Sequence, residues 1–329
     1  MKIVLTGDRA ETLREEVIAT LDGTGVEPEL VVLDSEGRFE GDPAGCHVVF
    51  FCVSASRYKP SMRSLMPLFG EPALRWMQGP GAGIDHPIWE TLLSRGVRLT
   101  NASGIHSEPI AQYIFTYVLH WEREVARHQS QQAVRHWQEI YSGDLGARTI
   151  GIVGYGGIGQ ATAKVAKAFG MRTIGCRRSP CDDPNLDRFV TLDGLPELLA
   201  ESDYVVLCMP YSDETRGMIG RSELAAMRDD SVLINVARGG VVDEPALIEV
   251  LRSAGIRGAT LDVVSEEPLP ESSPLWGLDN CVLTPHDAGY SPLGSKRLGG
   301  LFLENLGRFV RGESLVNEIT STGIARDGG

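Results

Sequence analysis

From one end of the chain to the other, short apolar runs rich in β-branched residues alternate with amphipathic helical patterns. The runs are "KIVLT", "LVVL", "HVVFFC", "LRWMQ" and "VRLT", then "TIGIV", "RTIGC", "YVVLCM", "VLINVA", "ATLDVV" and "CVLT". Segments such as "LREEVIATL" and "ATAKVAKAF" lie between them. Strands this continuously apolar have no face to give to water, so both faces of their sheet must be covered, and helices between successive strands supply the cover. The pattern predicts an α/β chain built of βα units and parallel sheets. At about 150 residues per domain, 329 residues predict two domains, each with its own core.

Charge narrows the partners. Asp and Glu number 44 against 31 Lys and Arg, a net charge of −13. Such a surface repels phosphate backbones and anionic lipid, so neither nucleic acid nor a membrane is expected, although a local basic pocket for a small anion is compatible with it. The six cysteines are scattered without a CxxC pair, several of them in apolar runs, which predicts buried reduced thiols and a cytoplasmic setting. The apolar run after Lys2 is too short for a signal peptide, and no stretch approaches the ~18 apolar residues of a membrane span.

Two long helices are expected. "SEPIAQYIFTYVLHWEREVARH" reads as one helix from 107 to 128, with Ser107 as its cap, Pro109 in its first turn and Ile110, Ile114, Val118 and Leu119 as an apolar stripe. "GSKRLGGLFLENLGRFVRG" reads as another near the C-terminus, with no strand after it, packing back onto the rest of the molecule.

Between the strands "TIGIV" and "RTIGC" lies "GYGGIGQATAKVAKAF". The spacing of Gly154, Gly156 and Gly159, after a buried strand and opening a helix, is what a dinucleotide-binding turn requires. The first glycine permits the tight turn, the second lets pyrophosphate reach the backbone, and the third lets helix and strand approach. Tyr155, Gly157 and Ile158 complete the loop. At the end of the next strand an acidic residue would accept the ribose hydroxyls, but the chain has Arg177, Arg178 and Ser179 there. A carboxylate would repel a 2′-phosphate and a guanidinium attracts it, so NADP(H) is the preferred cofactor, with NAD(H) possible. The competing reading makes one arginine solvated surface.

Three further stretches fall at or after strand ends: "INVARGGVVDEPAL" with Arg238, "ATLDVVSEEPLP" with Glu267 and "CVLTPHDAGYS" with His286. In that order after a glycine loop, and with "GPGAGIDH", "NASGIHSEPIAQY" and "SDYVVLCMPYSDETRGMI", the chain resembles the D-isomer-specific 2-hydroxyacid dehydrogenase family over nearly its whole length. The resemblance implies that Arg238 binds the substrate carboxylate and polarises its keto oxygen, that His286 donates a proton to that oxygen, and that Glu267 hydrogen-bonds the imidazole and favours its charged form. It implies substrate contacts from the backbone of Ala82 and Gly83, with Val53 and Ser54 beside them. On the cofactor side it implies Met209, Pro210 and Thr215 near the adenine, Val236 and Ala237 along the nicotinamide, Asp262 at its carboxamide, and Ala288 and Gly289 after the histidine. No metal is implied. The other histidines lack such a setting, and His106 is expected to be structural.

The family's plan implies a flavodoxin-like substrate domain of residues 1–101 and 288–329, with a Rossmann domain of residues 102–287 inserted, the active site between them and a homodimer formed through the nucleotide domain. The chain departs from the family pattern at Arg177, at Gln112 where Glu is common, and at Asp287 where an aliphatic residue is usual. Glu267 argues against the formate dehydrogenase branch, which has Gln there, and 329 residues leave no room for the extra C-terminal domain of regulated phosphoglycerate dehydrogenases. The expected reaction is reduction of glyoxylate, hydroxypyruvate or a related small 2-keto acid. The alternative is a nucleotide-gated binding or corepressor-type protein without significant turnover.

Overall fold

The computed structural model describes residues 1–320 except 8, 53–54, 56–58 and 84–85, together with the backbone of 323–324. The chain divides into two compact units, Met1–Ile105 with Ser291–Gly329, and His106–Tyr290.

In the first unit, β1 (Lys2–Thr6), β2 (Glu29–Leu33), β4 (Val48–Phe50), β5 (Trp76–Gln78) and β6 (Arg98–Thr100) pair in parallel in the order β2-β1-β4-β5-β6. This is the doubly wound order of flavodoxin-like sheets. The sheet is mixed at its edges. The two-residue strand β3 (Phe39–Glu40) runs antiparallel to β2, while β14 (Glu318–Thr320) and β15 (Gly323–Ile324) extend the other edge from β6 in antiparallel fashion. The expectation of no strand after the last helix is therefore corrected. Two bonds of 2.7 Å from Arg98 to the Glu318 carboxylate pin a segment too short to read from its own pattern. The helix before it, Pro292–Val310, is capped by Ser291 and packs back as expected. Phe302 is fully buried, with its ring 5.2 Å from Trp76 and 4.7 Å from Phe50.

In the second unit, β7 (Thr149–Val153), β8 (Arg172–Cys176), β9 (Arg188–Val190), β10 (Tyr204–Leu207), β11 (Val232–Asn235), β12 (Gly258–Leu261) and β13 (Cys281–Leu283) form an all-parallel sheet. Its order is β13-β12-β11-β10-β7-β8-β9. Successive strands step outward from β7 in one direction and then from β10 in the other. Order thus reverses between β7 and β10, and the crevice outside their carboxyl ends is where such sheets bind ligands. Every residue of β7, β10, β11 and β12 is buried, which explains their continuous apolar runs.

The long helix expected at 107–128 is two helices, Ser107–Glu122 and Val125–Ala133. Glu124 between them adopts a left-handed conformation with φ 53°. The cause lies far along the chain, where the Arg257 guanidinium donates to the Trp121 carbonyl at 2.6 Å and to the Glu124 carboxylate at 2.7 Å, stopping the first helix. Ser107 is not its cap. His106 occupies that position without a side-chain capping hydrogen bond, and Ser107 is the first helical residue.

Candidate active site

The glycine loop leaves β7 at the point where the sheet reverses. Gly154 has φ +100°, and a Cβ there would lie 2.4 Å from the backbone nitrogen of Met209, just past the end of β10. The turn can exist only with glycine. A Cβ on Gly156 would meet no atom within 4 Å, so this side of the loop is open ground in front of the helix Gly157–Ala168. The unpaired N–H groups and the positive dipole end of that helix favour an anion there. Tyr155 is buried in the core of this unit, and Ile158 packs against the same core.

The structure distinguishes the two arginines that the sequence left alike. Arg178 is exposed and paired to Glu214 at 2.9 Å. Arg177 is half-buried just past β8, and its guanidinium has no hydrogen bond or ion pair among the described residues. Ser179 beside them is exposed. The loop carrying Glu214 is held by Thr215, whose hydroxyl donates to the Pro210 carbonyl at 2.9 Å and accepts the Ser212 N–H at 2.8 Å. Met209 is buried and Pro210 exposed at the start of this loop. An open cradle at a helix N-terminus and an unpaired guanidinium after the next strand fit a phosphorylated dinucleotide.

Beyond β11, Val236 and Ala237 are buried and Arg238 is half-buried in extended backbone. Arg238 Nη1 donates to the Ala237 carbonyl at 2.8 Å. A Cβ on the next residue, Gly239, would lie 2.0 Å from the Val264 carbonyl, so the loops after β11 and β12 touch backbone to backbone. Gly239 is not among the site residues expected from the sequence, although the glycine pair of the "ARGG" segment marks it.

The loop after β12 presents Glu267 to His286. His286 Nδ1 lies 2.7 Å from Glu267 Oε2, while Glu267 Oε1 accepts the Val264 N–H at 3.2 Å. Glu244 steadies the loop by accepting the Ser265 N–H at 2.9 Å. Partial burial pushes the Glu267 carboxyl upward, but the hydrogen bond and charge of His286, the Val264 N–H and the nearby Arg238 charge outweigh it and hold the group below the ordinary carboxylate range. An ionised Glu267 can only accept, so the Nδ1 proton belongs to His286, and Nε2 is left to act on a ligand.

His286 itself has φ +55°, a left-handed conformation that costs about 1–3 kcal/mol unless the surroundings hold it. Asp262, buried at the end of β12, does so. Its Oδ1 accepts the Asp287 N–H at 2.9 Å and its Oδ2 the Ala288 N–H at 3.1 Å. Its Oδ1 also accepts the Thr284 hydroxyl at 2.7 Å. His106 is tied through Nδ1 to the Gly289 carbonyl at 3.0 Å. The Asp287 carboxylate is felt by Tyr113 and Tyr117, and Gln112 is exposed. In the first unit Ala82 is exposed, its carbonyl held by Asn101 at 2.8 Å, with Gly83 beside it. Val53 and Ser54 lie outside the described residues.

Comparison with known proteins gives a family. Residues 115–288 match the "D-isomer specific 2-hydroxyacid dehydrogenase, NAD binding domain". A glyoxylate reductase of Korarchaeum cryptofilum is 36% identical over 256 residues, covering 75% of this chain and 77% of that protein. A D-isomer specific 2-hydroxyacid dehydrogenase of Xanthobacter autotrophicus, solved with NADPH and MES, is 29% identical with a TM-score of 0.77, covering 97% of this chain and 98% of that one. A family protein of Aeromonas salmonicida superposes with a TM-score of 0.81 at 29% identity and the same coverage. The chain, with a nucleotide cradle and an Arg–Glu–His set on neighbouring strand ends, belongs to the D-isomer specific 2-hydroxyacid dehydrogenases, oxidoreductases of 2-hydroxy acids.

Proposed function

We propose that this protein is an NADPH-preferring reductase of small 2-keto acids such as glyoxylate or hydroxypyruvate, with His286 as general acid. The observation that carries the reading is the 2.7 Å pair of His286 with an ionised Glu267, within reach of the Arg238 charge. A bound reduced nicotinamide supplies the hydride. Arg238 holds the substrate carboxylate and polarises the keto oxygen, and the N–H groups of Ala82 and Gly83 are assigned to substrate binding. His286 delivers a proton from Nε2 to the keto oxygen, which becomes the hydroxyl. Glu267 orients the imidazole and balances its charge. The loop from Gly154 to Gly159 holds pyrophosphate, Val236 and Ala237 line the nicotinamide, and Asp262 Oδ2 accepts from the carboxamide. The glyoxylate reductase relative and the NADPH-bound neighbour support substrate class and cofactor.

Arg177 is assigned the 2′-phosphate. The expected result is a kcat/KM ratio favouring NADPH over NADH, which Arg177→Asp reduces by about 10- to 100-fold, the worth of a charge-assisted hydrogen bond. Arg178→Ala does less, because Arg178 is already engaged with Glu214. A tenfold preference of the parent protein for NADH ends the assignment.

Gly239→Ala is expected to push the Arg238 and Glu267 loops apart, since the new methyl has no room beside Val264. Displacement of reacting groups by an ångström costs about 10²-fold, so kcat/KM falls on that scale with secondary structure unchanged by circular dichroism. Parent-like kcat/KM contradicts the tight contact.

The reading includes a homodimer. The segment after Val125–Ala133 leaves Val134, Trp137 and Tyr141 at 75%, 100% and 105% exposure. Aromatic groups held so openly suit burial against a second copy. Light scattering is expected to give twice the mass of the chain, and Trp137→Ser with Tyr141→Ser to lower it. A monomeric parent contradicts this.

A further inference from the structure

We propose that Tyr113 and Thr284 are positioning residues that fix the Asp262 carboxylate toward the nicotinamide carboxamide and hold the turn that carries His286. The inference rests on the reading of Asp262 given above and extends it outward by two residues that neither touch the substrate nor belong to the glycine loop.

The bonds run in one direction. Tyr113, on the helix Ser107–Glu122, lies 2.5 Å from Thr284 Oγ1. Thr284 Oγ1 lies 2.7 Å from Asp262 Oδ1. A carboxylate can only accept, so the single Thr284 proton goes to Asp262, and Tyr113 must then donate to Thr284. Burial raises the Tyr113 phenol far above its usual range, with the Thr284 hydrogen bond opposing and the Asp262, Tyr117 and Asp287 charges adding to the rise, so the donor proton stays in place.

Asp262 Oδ1 is thereby fully used, by the Thr284 hydroxyl, by the Asp287 N–H and by a 3.2 Å share of the Ala288 N–H. Among the described residues its Oδ2 takes only the other share of that Ala288 N–H, at 3.1 Å, and keeps a lone pair. A carboxylate free to rotate would exchange these two oxygens. The Tyr113–Thr284 chain removes that freedom and selects Oδ2 as the outward acceptor, while the same carboxylate secures the two N–H groups after His286. Hydrogen bonds in series also polarise one another. A neutral apolar residue at either position would fill the same space and leave the carboxylate loose.

The test compares binding of NADP⁺ with that of its 3-acetylpyridine analogue, which lacks the carboxamide N–H, by isothermal titration calorimetry. The parent protein is expected to bind NADP⁺ about tenfold more tightly, the worth of one hydrogen bond to a charged acceptor. In Thr284→Val and in Tyr113→Phe this preference is expected to shrink to about threefold or less, and Thr284→Ser is expected to restore it. Either variant alone decides the matter if the other fails to fold. A preference unchanged in the variants overturns the positioning role and leaves the Asp262 reading standing, even if both dinucleotides bind more weakly. A parent protein without any preference overturns the Asp262 reading and the inference with it.

Discussion

Replacing His286 with Ala is expected to lower kcat for 2-keto acid reduction by about 10²–10⁴-fold, the range found for a positioned general acid, with little change in dinucleotide binding. The imidazole is the group whose Nε2 is left over once Nδ1 is committed to Glu267 at 2.7 Å. Removing it leaves the keto oxygen to solvent for its proton, while the glycine cradle and Arg177 remain. The histidine–carboxylate pair also adds stability through Glu267. Its carboxyl is held below the ordinary 4.5, so that contribution is complete above the ordinary value and is lost as pH falls through the depressed one. A His286→Ala variant within tenfold of the parent would remove the histidine from the reaction.

The second large effect is on stability. Glu122 closes the helix Ser107–Glu122 and is 2% exposed. It accepts from Arg148 Nε at 3.0 and 3.2 Å and from the Tyr204 hydroxyl at 2.6 Å. Arg148 continues to Asp203 at 3.3 Å, and Asp203 takes the Thr149 N–H at 2.7 Å. One carboxylate thus ties the helix to the starts of β7 and β10 beneath the nucleotide loop. Glu122→Ala leaves the half-buried Arg148 with Asp203 alone and strands the buried Tyr204 phenol, and breaking a buried pair from one side costs about 3–5 kcal/mol. At about 2–4 °C per kcal/mol for a unit of this size, Tm of the His106–Tyr290 unit is expected to fall by about 6–20 °C. Glu122→Gln, which can still accept from Tyr204, falls less. Thermal melts within a degree of the parent would contradict the network.

Much of this was legible because local and global signals agree. The buried strands of both sheets announce themselves by composition, since both faces are covered. The glycine loop, Arg238, Glu267 and His286 stand next to strand ends, where a parallel sheet gathers residues distant in sequence. What escaped depends on partners that a linear pattern does not contain. The helix break at Glu124 is made by Arg257, more than a hundred positions away. Strand β14 is three residues long and is anchored by Arg98. Arg177 and Arg178 differ in burial and because Glu214, on another loop, engages one of them. Gly239 matters through a backbone contact with Val264, and Tyr113 through Thr284.

The most direct test follows loss of the reduced nicotinamide's absorbance when the purified protein meets glyoxylate, hydroxypyruvate and larger 2-keto acids, with NADPH and NADH in parallel. The account predicts saturable turnover of at least one of these acids, faster with NADPH and abolished to the stated extent by His286→Ala. Tight NADPH binding with no turnover of any 2-keto acid in the panel would contradict it and favour a nucleotide-gated binding protein.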